Sequence, residues 1–432
     1  MIIRSVSAYQ IFDSRGNPTV EAEIVLEGGA CGRGTVPSGA STGQYEALEL
    51  RDGDPQRFRG KSVFRAIEHI QREIASAVVG RDAADQRGLD ETLIALDGTD
   101  NKSRLGANAI LAVSMAACSA EANVRGLALY EHLGGPAGTL LPLPEIQILG
   151  GGAHAAWRND VQDYLLIATG ARSYEETLEI THNVYHAAGE LMRSRGAFSG
   201  LADEGGYWPC FKRNEDGLSL LVQAIERAGY EPGTDASISL DIAASDLFNP
   251  RSGRYEMKLD CAQLTSAEMI DLMEDWTRRY PILSIEDPVA DVDRDAWIEV
   301  RRRLGGRVQL IGDDLFTTSP QRIRDGIDHG LANSVLIKLN QIGTVTETLD
   351  AVELTQRAGW LPVISARSGE TEDAFIAHLA VATNAGQLKV GSFARGERTA
   401  KWNEVLRIGR RLGKRARFEG AGIYRRILRE AP

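Results

Sequence analysis

The stretch SISLD (residues 237–241) is the first of a series of short apolar runs, each of which ends in a polar or charged residue. The series, named by the last residue of each run, is SISLD to Asp241, ILSIE to Glu286, VQLIGD to Asp313, VLIK to Lys338, LPVIS to Ser365 and QLK to Lys389. After Glu286 the runs are separated by about the length of one helix and its loops, so the pattern predicts a repeated strand-and-helix unit.

Such a repeat is typical of a parallel barrel, whose strands are buried on both faces and therefore have continuous apolar sequences. Polar residues are tolerated where a strand emerges at its carboxyl end, so these residues are predicted to share one rim of the barrel. The alternative is that each acid caps the helix that follows it, as Asp side chains often do. We predict an α/β protein with a (β/α)8-type barrel and a functional site at this rim.

The N-terminal part of the chain has a different pattern. Residues 2–9 and 19–25 alternate as strands do, with turn residues between them, which predicts an antiparallel meander. From Val63 onward the apolar residues have helical spacing. We therefore predict an α+β capping domain at residues 1–135, followed by the barrel at residues 140–432.

The composition limits the classes of partner. The chain has 432 residues, 43% hydrophobic and 25% charged, which is ordinary for a globular protein. Its net charge of -11 argues against a nucleic-acid partner, because phosphate binding needs basic clusters. The most apolar window, residues 107–117, is shorter than the roughly 20 residues of a membrane span, and the N-terminus lacks the pattern of a secretory signal. We expect a cytoplasmic protein that binds neither nucleic acid nor membrane, with four free thiols at Cys31, Cys118, Cys210 and Cys261.

The acids at the strand ends predict a metal site. Asp241, Glu286 and Asp313 offer only oxygen ligands, which suits Mg²⁺ and disfavours zinc. Lys338 on the same rim is the candidate general base, because burial and nearby cations lower the pKa of a lysine. A base opposite a divalent cation can remove a proton beside a carboxylate, since the cation stabilises the enolate that forms.

Other residues offer anion contacts or proton transfer. Arg367 can hold a phosphate or carboxylate through its forked guanidinium, with Ser368 as a second donor, and Lys389 can neutralise a substrate carboxylate. Two further stretches are ambiguous in isolation. His154 ends the loop GGGAH, and a lone loop histidine is more often a surface residue; the motif DEGG (203–206) places a carboxylate before a tight glycine turn.

Taken together, these motifs resemble the enolase family, the phosphopyruvate hydratases, along nearly the whole chain. The matching stretches are SRGNPT (14–19), PSGASTG (37–43), LRDGD (50–54), NKSRLGANA (101–109), DEGG (203–206), SIEDP (284–288), NQIG (340–343) and RSGET (367–371). The resemblance implies an enolase-type barrel with an N-terminal capping domain, in which residues 36–43 form a lid loop. It also implies a homodimer or larger homo-oligomer.

The resemblance further implies roles for individual residues. Two Mg²⁺ ions are expected per site, the first held by Asp241, Glu286 and Asp313 and the second joined by Ser41. Lys338 is expected to be the base and Glu204 the acid that assists departure of hydroxide. The expected contacts to a small phosphorylated or phosphonylated carboxylate substrate are Lys389, Arg367, Ser368, His154 and Asp163.

The chain departs from the family pattern around the expected leaving-hydroxyl and phosphate end. Ala366 replaces a histidine, Asp163 replaces a glutamate, Gly150 replaces an asparagine, and Tyr207 and Trp208 replace Phe-Ala. Three functions are therefore open. The first is a lyase that acts on 2-phosphoglycerate or a close analogue; the second is a divergent paralogue such as a carboxyphosphonoenolpyruvate synthase of phosphinate antibiotic biosynthesis; the third is a catalytically silent binding protein.

Overall fold

The computed structural model describes residues 1–40 and 42–429. The chain begins with a three-stranded antiparallel sheet that contains β1 (Ile3–Phe12), β2 (Pro18–Leu26) and β3 (Cys31–Thr35) in that order. Alternate residues of β2, namely Val20, Ala22 and Ile24, are fully buried, as expected for a strand with one face on the core. The predicted meander is confirmed.

Helices pack against this sheet. They are α1 (Phe64–His69), which continues through a π-helical turn (Ile70–Ile74) into α2 (Ala75–Val78), then α3 (Gln86–Asp97), α4 (Ala107–Val124) and α5 (Leu129–Gly134). α4 lies directly on β3 because Gly32 and Gly34 have no side chains there. A Cβ on Gly34 would come within 2.3 Å of the Ala112 carbonyl oxygen.

α4 is a core helix. It is long and apolar enough, by length and composition, to cross a membrane, but 83% of its residues are buried inside the fold. A helix that is apolar all round is stable in water only when protein covers it, and here the sheet, α3 and α5 contact it.

The second part of the chain holds the remaining elements. Its strands are β4 (Leu140–Leu141), β5 (Leu143–Gly150), β6 (Asp163–Ile167), β7 (Phe198–Leu201), β8 (Tyr207–Pro209), β9 (Ser237–Asp241), β10 (Phe248–Asn249), β11 (Arg254–Met257), β12 (Ala262–Leu264), β13 (Ile282–Glu286), β14 (Gln309–Gly312), β15 (Ser334–Ile337), β16 (Leu361–Ser365), β17 (Gln387–Ser392) and β18 (Arg417–Phe418). Its α-helices are α6 (Tyr174–Ser194), α7 (Glu215–Arg227), α8 (Ala244–Leu247), α9 (Ser266–Arg279), α10 (Arg294–Leu304), α11 (Pro320–His329), α12 (Leu339–Ile342), α13 (Val345–Arg357), α14 (Phe375–Ala382) and α15 (Gly396–Leu412). Short 3-10 helices lie at Phe58–Gly60, Gly135–Ala137, Gly152–Ala155, Gly413–Arg415 and Gly420–Arg426.

Eight of these strands form a closed barrel. Their order is β5, β6, β9, β13, β14, β15, β16 and β17, and pairing of β17 with β5 closes the ring. The fold class is confirmed, with one difference from an all-parallel barrel: β6 runs antiparallel to both β5 and β9. The β5–β6 connection contains only the 3-10 helix Gly152–Ala155, whereas the crossover between parallel strands usually contains an α-helix.

Between β9 and β13 the chain makes an excursion through a small antiparallel sheet of β10, β11 and β12. The length of this excursion accounts for the wide separation of Asp241 and Glu286 in sequence. The four cysteines are free thiols, and Cys118 is the buried one, which confirms that prediction.

The register of the strands places the predicted polar residues at the same height along the barrel axis. Glu286 pairs with Asp241, and Asp163 pairs with Asp241 from the other side. Lys389 lies inside β17 rather than at its end, but it pairs with Ser365, the last residue of β16. The helix-cap alternative is wrong, because the helices that follow the three acids have other N-cap residues, namely Ala243, Asp293 and Ser319.

Candidate active site

A cavity lies at the carboxyl-end rim of the barrel, and Gly39 and Ala40 of the N-terminal part also line it. The predicted site residues that line this cavity are Asp241, Asp313, Lys338, Lys389, Arg367, Ser368, His154, Asp163 and Glu204. Glu286 contacts Lys389 beside the cavity, whereas Ser41 lies outside the described residues. The fold therefore brings together side chains that are far apart in sequence.

Lys389 lies at the centre of the acidic group. Its Nζ is 2.9 Å from Asp241 Oδ2 and 2.7 Å from Glu286 Oε2. Burial alone would raise the pKa of Asp241. The Lys389 ammonium has the opposite and larger effect, so that the resulting pKa is about 2. Burial and the Asp241 charge raise the pKa of Glu286 well above its usual range. The two carboxylates share one ammonium, so additional positive charge would stabilise their ionised forms.

The three predicted metal carboxylates are held by ammonium groups in this structure. Asp241 and Glu286 contact Lys389, and Asp313 contacts Lys338. Among the described residues, the groups of three whose ligand atoms lie within 4.8 Å of one another are His154 with Asp163 and Glu204, and Asp287 with Asp313 and Asp314. The predicted trio is not one of them. Its donors nevertheless fit Mg²⁺, because all three residues offer carboxylate oxygens, the hard ligands that this ion prefers.

Lys338 is positioned by Asp313. Its Nζ lies 2.5 Å from Asp313 Oδ2, while Gln341 Nε2 donates to Asp313 Oδ1 at 2.7 Å. Burial lowers the pKa of Lys338, but the negative charges of Asp313 and Glu286 together outweigh burial, so the net pKa is raised rather than lowered as the sequence predicted. The ammonium form is therefore favoured as long as Asp313 is not neutralised by a cation.

Asp287 fixes the turn that carries Asp313. Its two carboxylate oxygens accept the backbone N–H groups of Asp313 and Asp314, each at 2.9 Å. Asp287 itself has a φ of 41°, a left-handed conformation that a non-glycine residue adopts only when its surroundings hold it there. Burial and the charge of Asp313 raise the pKa of Asp314 to about 8. The site thus keeps the carboxylates of Asp313 and Asp314, which share one turn, close to that of Asp287, which follows β13.

Arg367 and Ser368 face the N-terminal part of the chain. Arg367 Nη1 donates to Glu46 Oε2 at 2.9 Å and to Asn340 Oδ1 at 3.0 Å. Ser368 Oγ accepts the backbone N–H of Ala40 at 2.7 Å. The two predicted anion-binding residues are therefore already oriented by partners from both parts of the chain.

Two buried cations of α15 support the loop that carries Arg367. Arg398 Nη1 donates to the carbonyl oxygens of Arg367 at 2.7 Å and of Val390 at 2.9 Å. Lys401 Nζ lies 2.9 Å from Glu370 Oε2, and Glu370 Oε1 accepts the Arg367 N–H at 3.1 Å. These contacts fix the backbone of the loop and leave the Arg367 side chain directed at the rim.

His154, Asp163 and Glu204 form the opposite end of the site. His154 Nδ1 lies 3.2 Å from Asp163 Oδ1, and His154 Nε2 lies 4.0 Å from Glu204 Oε1. Burial lowers the pKa of His154, but Asp163 and Glu204 raise it more, to about 9. Burial raises the pKa of Glu204, although the charge of His154 opposes this. The surface-residue alternative for His154 is wrong, because its side chain is 7% exposed.

The departures from the enolase pattern do not all reach the cavity. Asp163 and Ala366 line it, whereas Gly150, Tyr207 and Trp208 do not. Tyr207 instead stacks on Tyr185, with 4.4 Å between the ring centroids. Two of the five departures therefore reach the cavity expected to hold the substrate, and the other three lie outside its lining.

Sequence reasoning missed several residues that support the site. They are Glu46, which pairs with Arg367, Asp287, which holds the Asp313 turn, Arg398 and Lys401, which hold the Arg367 loop, and Gln147, which contacts Asp163. Asp287 directly follows Glu286 in the SIEDP motif, so that position carried a signal. The other four positions carried no such signal, because each contacts a segment that is distant in sequence.

Comparisons with known proteins agree with this architecture. Residues 3–133 match the family described as Enolase, N-terminal domain, and residues 138–427 match Enolase, C-terminal TIM barrel domain. Enolase 1 of Desulfitobacterium hafniense (strain Y51) is 54% identical over 423 residues, which cover 98% of this chain and 97% of that protein. The chain belongs to the enolase family. The resemblance found in the sequence is confirmed, and this similarity does not support the suggestion of a divergent, specialised paralogue.

Proposed function

We propose that this protein is an enolase, a carbon–oxygen lyase that removes water from 2-phosphoglycerate to give phosphoenolpyruvate. The observation that carries the proposal is that Lys338, Glu204 and Arg367 line one cavity. A base, an acid and an anion-binding group are thus available to a single small substrate. Membership of the enolase family across both matched regions supports the same reaction.

Lys338 removes the proton from carbon 2 of the substrate as the general base. Glu204 donates a proton to the hydroxyl that leaves carbon 3, so that it departs as water. Its raised pKa favours the protonated form that this step requires. The proton gained by Lys338 balances the proton lost by Glu204, and both residues return to their starting states by exchange with solvent.

The remaining predicted residues bind and orient the substrate. Arg367 and Ser368 hold the phosphate, Lys389 neutralises the carboxylate, and His154 with Asp163 contacts the end from which hydroxide leaves. Asp241, Glu286 and Asp313 would hold a first Mg²⁺ ion, and Ser41 would join a second. When bound, the ions would supply positive charge to stabilise an enolate and to counter the Asp313 charge at Lys338.

The direct test is the absorbance of the enol product when purified protein is mixed with 2-phosphoglycerate and Mg²⁺. We expect turnover in the range of about 1–1,000 per second that is common for enzymes, and its loss when a chelator removes the metal. Absence of turnover, combined with conversion of a carboxyphosphono analogue, would instead favour the specialised paralogue. Failure with both substrates would favour the silent binding protein and overturn the proposal.

We also propose the organisation that the sequence predicted. Residues 1–135 form the capping domain with the lid loop at 36–43, and residues 140–432 form the barrel domain. The protein acts in the cytoplasm as a homodimer or larger homo-oligomer, without a nucleic-acid or membrane partner. The acidic net charge of -11 argues against a nucleic-acid partner, and the burial of α4 argues against a membrane partner.

A further inference from the structure

Gln147 is fully buried on β5 and connects two segments of the site. Its Nε2 donates to Asp163 Oδ1 on β6, and its Oε1 accepts the backbone N–H of Gly206 at 2.8 Å. Gly206 lies in the same tight turn as Glu204. One side-chain amide therefore ties the strand that carries Asp163 to the turn that carries Glu204, although Gln147 does not line the cavity.

Two glycines make room for this amide. A Cβ on Gly206 would lie 2.4 Å from Gln147 Oε1. A Cβ on Gly150 would lie 2.5 Å from Ala202 Cβ and 3.2 Å from Gln147 Nε2. A side chain such as the asparagine of the enolase pattern would therefore collide with Ala202 and crowd Gln147 at position 150.

Asp163 has competing partners. Its Oδ1 contacts both Gln147 Nε2 and His154 Nδ1, whereas its Oδ2 lies 3.9 Å from Lys389 Nζ. Asp163 is one methylene shorter than the glutamate of the enolase pattern, so its carboxylate reaches less far from the strand. The donor from Gln147 keeps Oδ1 at His154 and opposes rotation of the carboxylate towards Lys389.

We propose that Gln147 is a positioning residue: it holds the shortened carboxylate of Asp163 against His154 and fixes the turn of Glu204 for proton delivery to the leaving hydroxyl. The kinetic part of this proposal rests on the proposed function. The amide of Gln147 then compensates for the methylene that Asp163 lacks, and Gly150 leaves the space that this amide needs.

A reciprocal exchange of one methylene tests the proposal. Gln147→Asn shortens the amide, Asp163→Glu lengthens the acid, and the double variant restores their combined length. We expect each single variant to lower kcat by about 10-fold to 100-fold, because small misplacements of catalytic groups have effects of this size. KM should change by less than about threefold, and the double variant should recover most of the lost kcat, since the loss lies in the geometry of proton delivery rather than in substrate binding.

Gln309→Asn is the matched control. Gln309 is also a fully buried barrel glutamine, and it donates to Ser334 Oγ at 2.8 Å and to Gln387 Oε1 at 2.7 Å. We expect it to lower thermal stability like Gln147→Asn but to leave kcat unchanged. Wild-type kcat in Gln147→Asn, or a double variant whose loss equals the product of the single losses, would overturn the proposal.

A second readout needs no turnover and so separates this proposal from the proposed function. The pKa of the His154 imidazole can be followed by NMR of histidine-labelled protein. The charged groups that act on it are Asp163, Glu204, Asp241 and Asp246. We expect the pKa of His154 to fall in Gln147→Asn, as Asp163 turns away, and to recover in the double variant. If wild-type protein fails to dehydrate 2-phosphoglycerate while this pattern holds, only the proposed function fails; an unchanged pKa in Gln147→Asn would overturn the positioning role.

Discussion

Glu46 and Arg367 form a buried ion pair between the N-terminal part of the chain and the barrel rim. Arg367 Nη1 lies 2.9 Å from Glu46 Oε2, and the two side chains are 4% and 8% exposed. Glu46 follows the glycine-rich loop of the N-terminal part, and Arg367 follows β16. The guanidinium proposed to hold the substrate phosphate is therefore oriented by a residue outside the barrel.

Removal of the Glu46 charge should destabilise the protein. We expect Glu46→Gln to lower the free energy of unfolding by about 3 kcal/mol, because it leaves the buried Arg367 charge less compensated. Denaturant unfolding monitored by circular dichroism measures this. Glu49→Gln is the control, since Glu49 pairs with Arg51 at 2.6 Å where both side chains are about a fifth exposed, and it should lose at most about 1 kcal/mol. Equal losses in the two variants would contradict the importance of burial.

Lys338→Ala should abolish turnover of 2-phosphoglycerate. The expected loss is at least about 1,000-fold in kcat, because the variant lacks the proposed base and no other lysine contacts Asp313 among the described residues. Steady-state kinetics with Lys414→Ala, a change at an exposed lysine, serves as the control and should match wild type. Retained activity in Lys338→Ala would show that another group is the base.

Mg²⁺ should stabilise the folded protein. Asp241 and Glu286 share one ammonium, so a bound cation would reduce the repulsion between their carboxylates. A cation present at about 100 times its dissociation constant adds about 2.7 kcal/mol of stability. Thermal unfolding with and without Mg²⁺ measures the increment, and a chelator should reverse it. Asp241→Asn should remove most of the increment, whereas Asp325→Asn, at a surface ion pair with Arg294, should keep it. A wild-type protein that shows no increment would rule out the predicted metal site.

The His154 pKa predicts a pH dependence of stability. Its folded value of about 9 lies above the value of 6.5 usual for a histidine, so the stabilisation is complete below about pH 6.5 and is lost as the pH rises through 9. The loss is on the order of 3 kcal/mol. We expect the difference in unfolding free energy between wild type and His154→Gln to shrink over this interval. Glu204, whose pKa is also raised, is present in both proteins; a pH-independent difference would contradict the ion pairs of His154.

Much of the barrel could be predicted because its signals are local. A strand buried on both faces needs a continuous apolar run, and its carboxyl end is where a polar side chain is tolerated. Asp241, Glu286, Asp313 and Lys338 were found in this way. The direction of β6 was not, because an apolar run has the same composition in either direction and only the short connection after β5 decides it.

The supporting residues depended on the folded chain. Glu46 and Arg398 look like ordinary charged residues in sequence, and their roles arise from distances to Arg367 that no local pattern encodes. The departure at Gly150 could be seen in the sequence but was assigned to the substrate, whereas the structure places Ala202 and Gln147 in that space.

The sequence by itself determined the enolase-type architecture, the polar residues at the barrel rim and the family, because periodicity and ordered motifs survive without coordinates. Only the tertiary structure decided which side chains hold these residues in place and which departures reach the cavity. The physical reason is that burial, hydrogen-bond distances and the resulting shifts in pKa depend on segments brought together by folding, as the contacts of Gln147 with Asp163 and Gly206 illustrate.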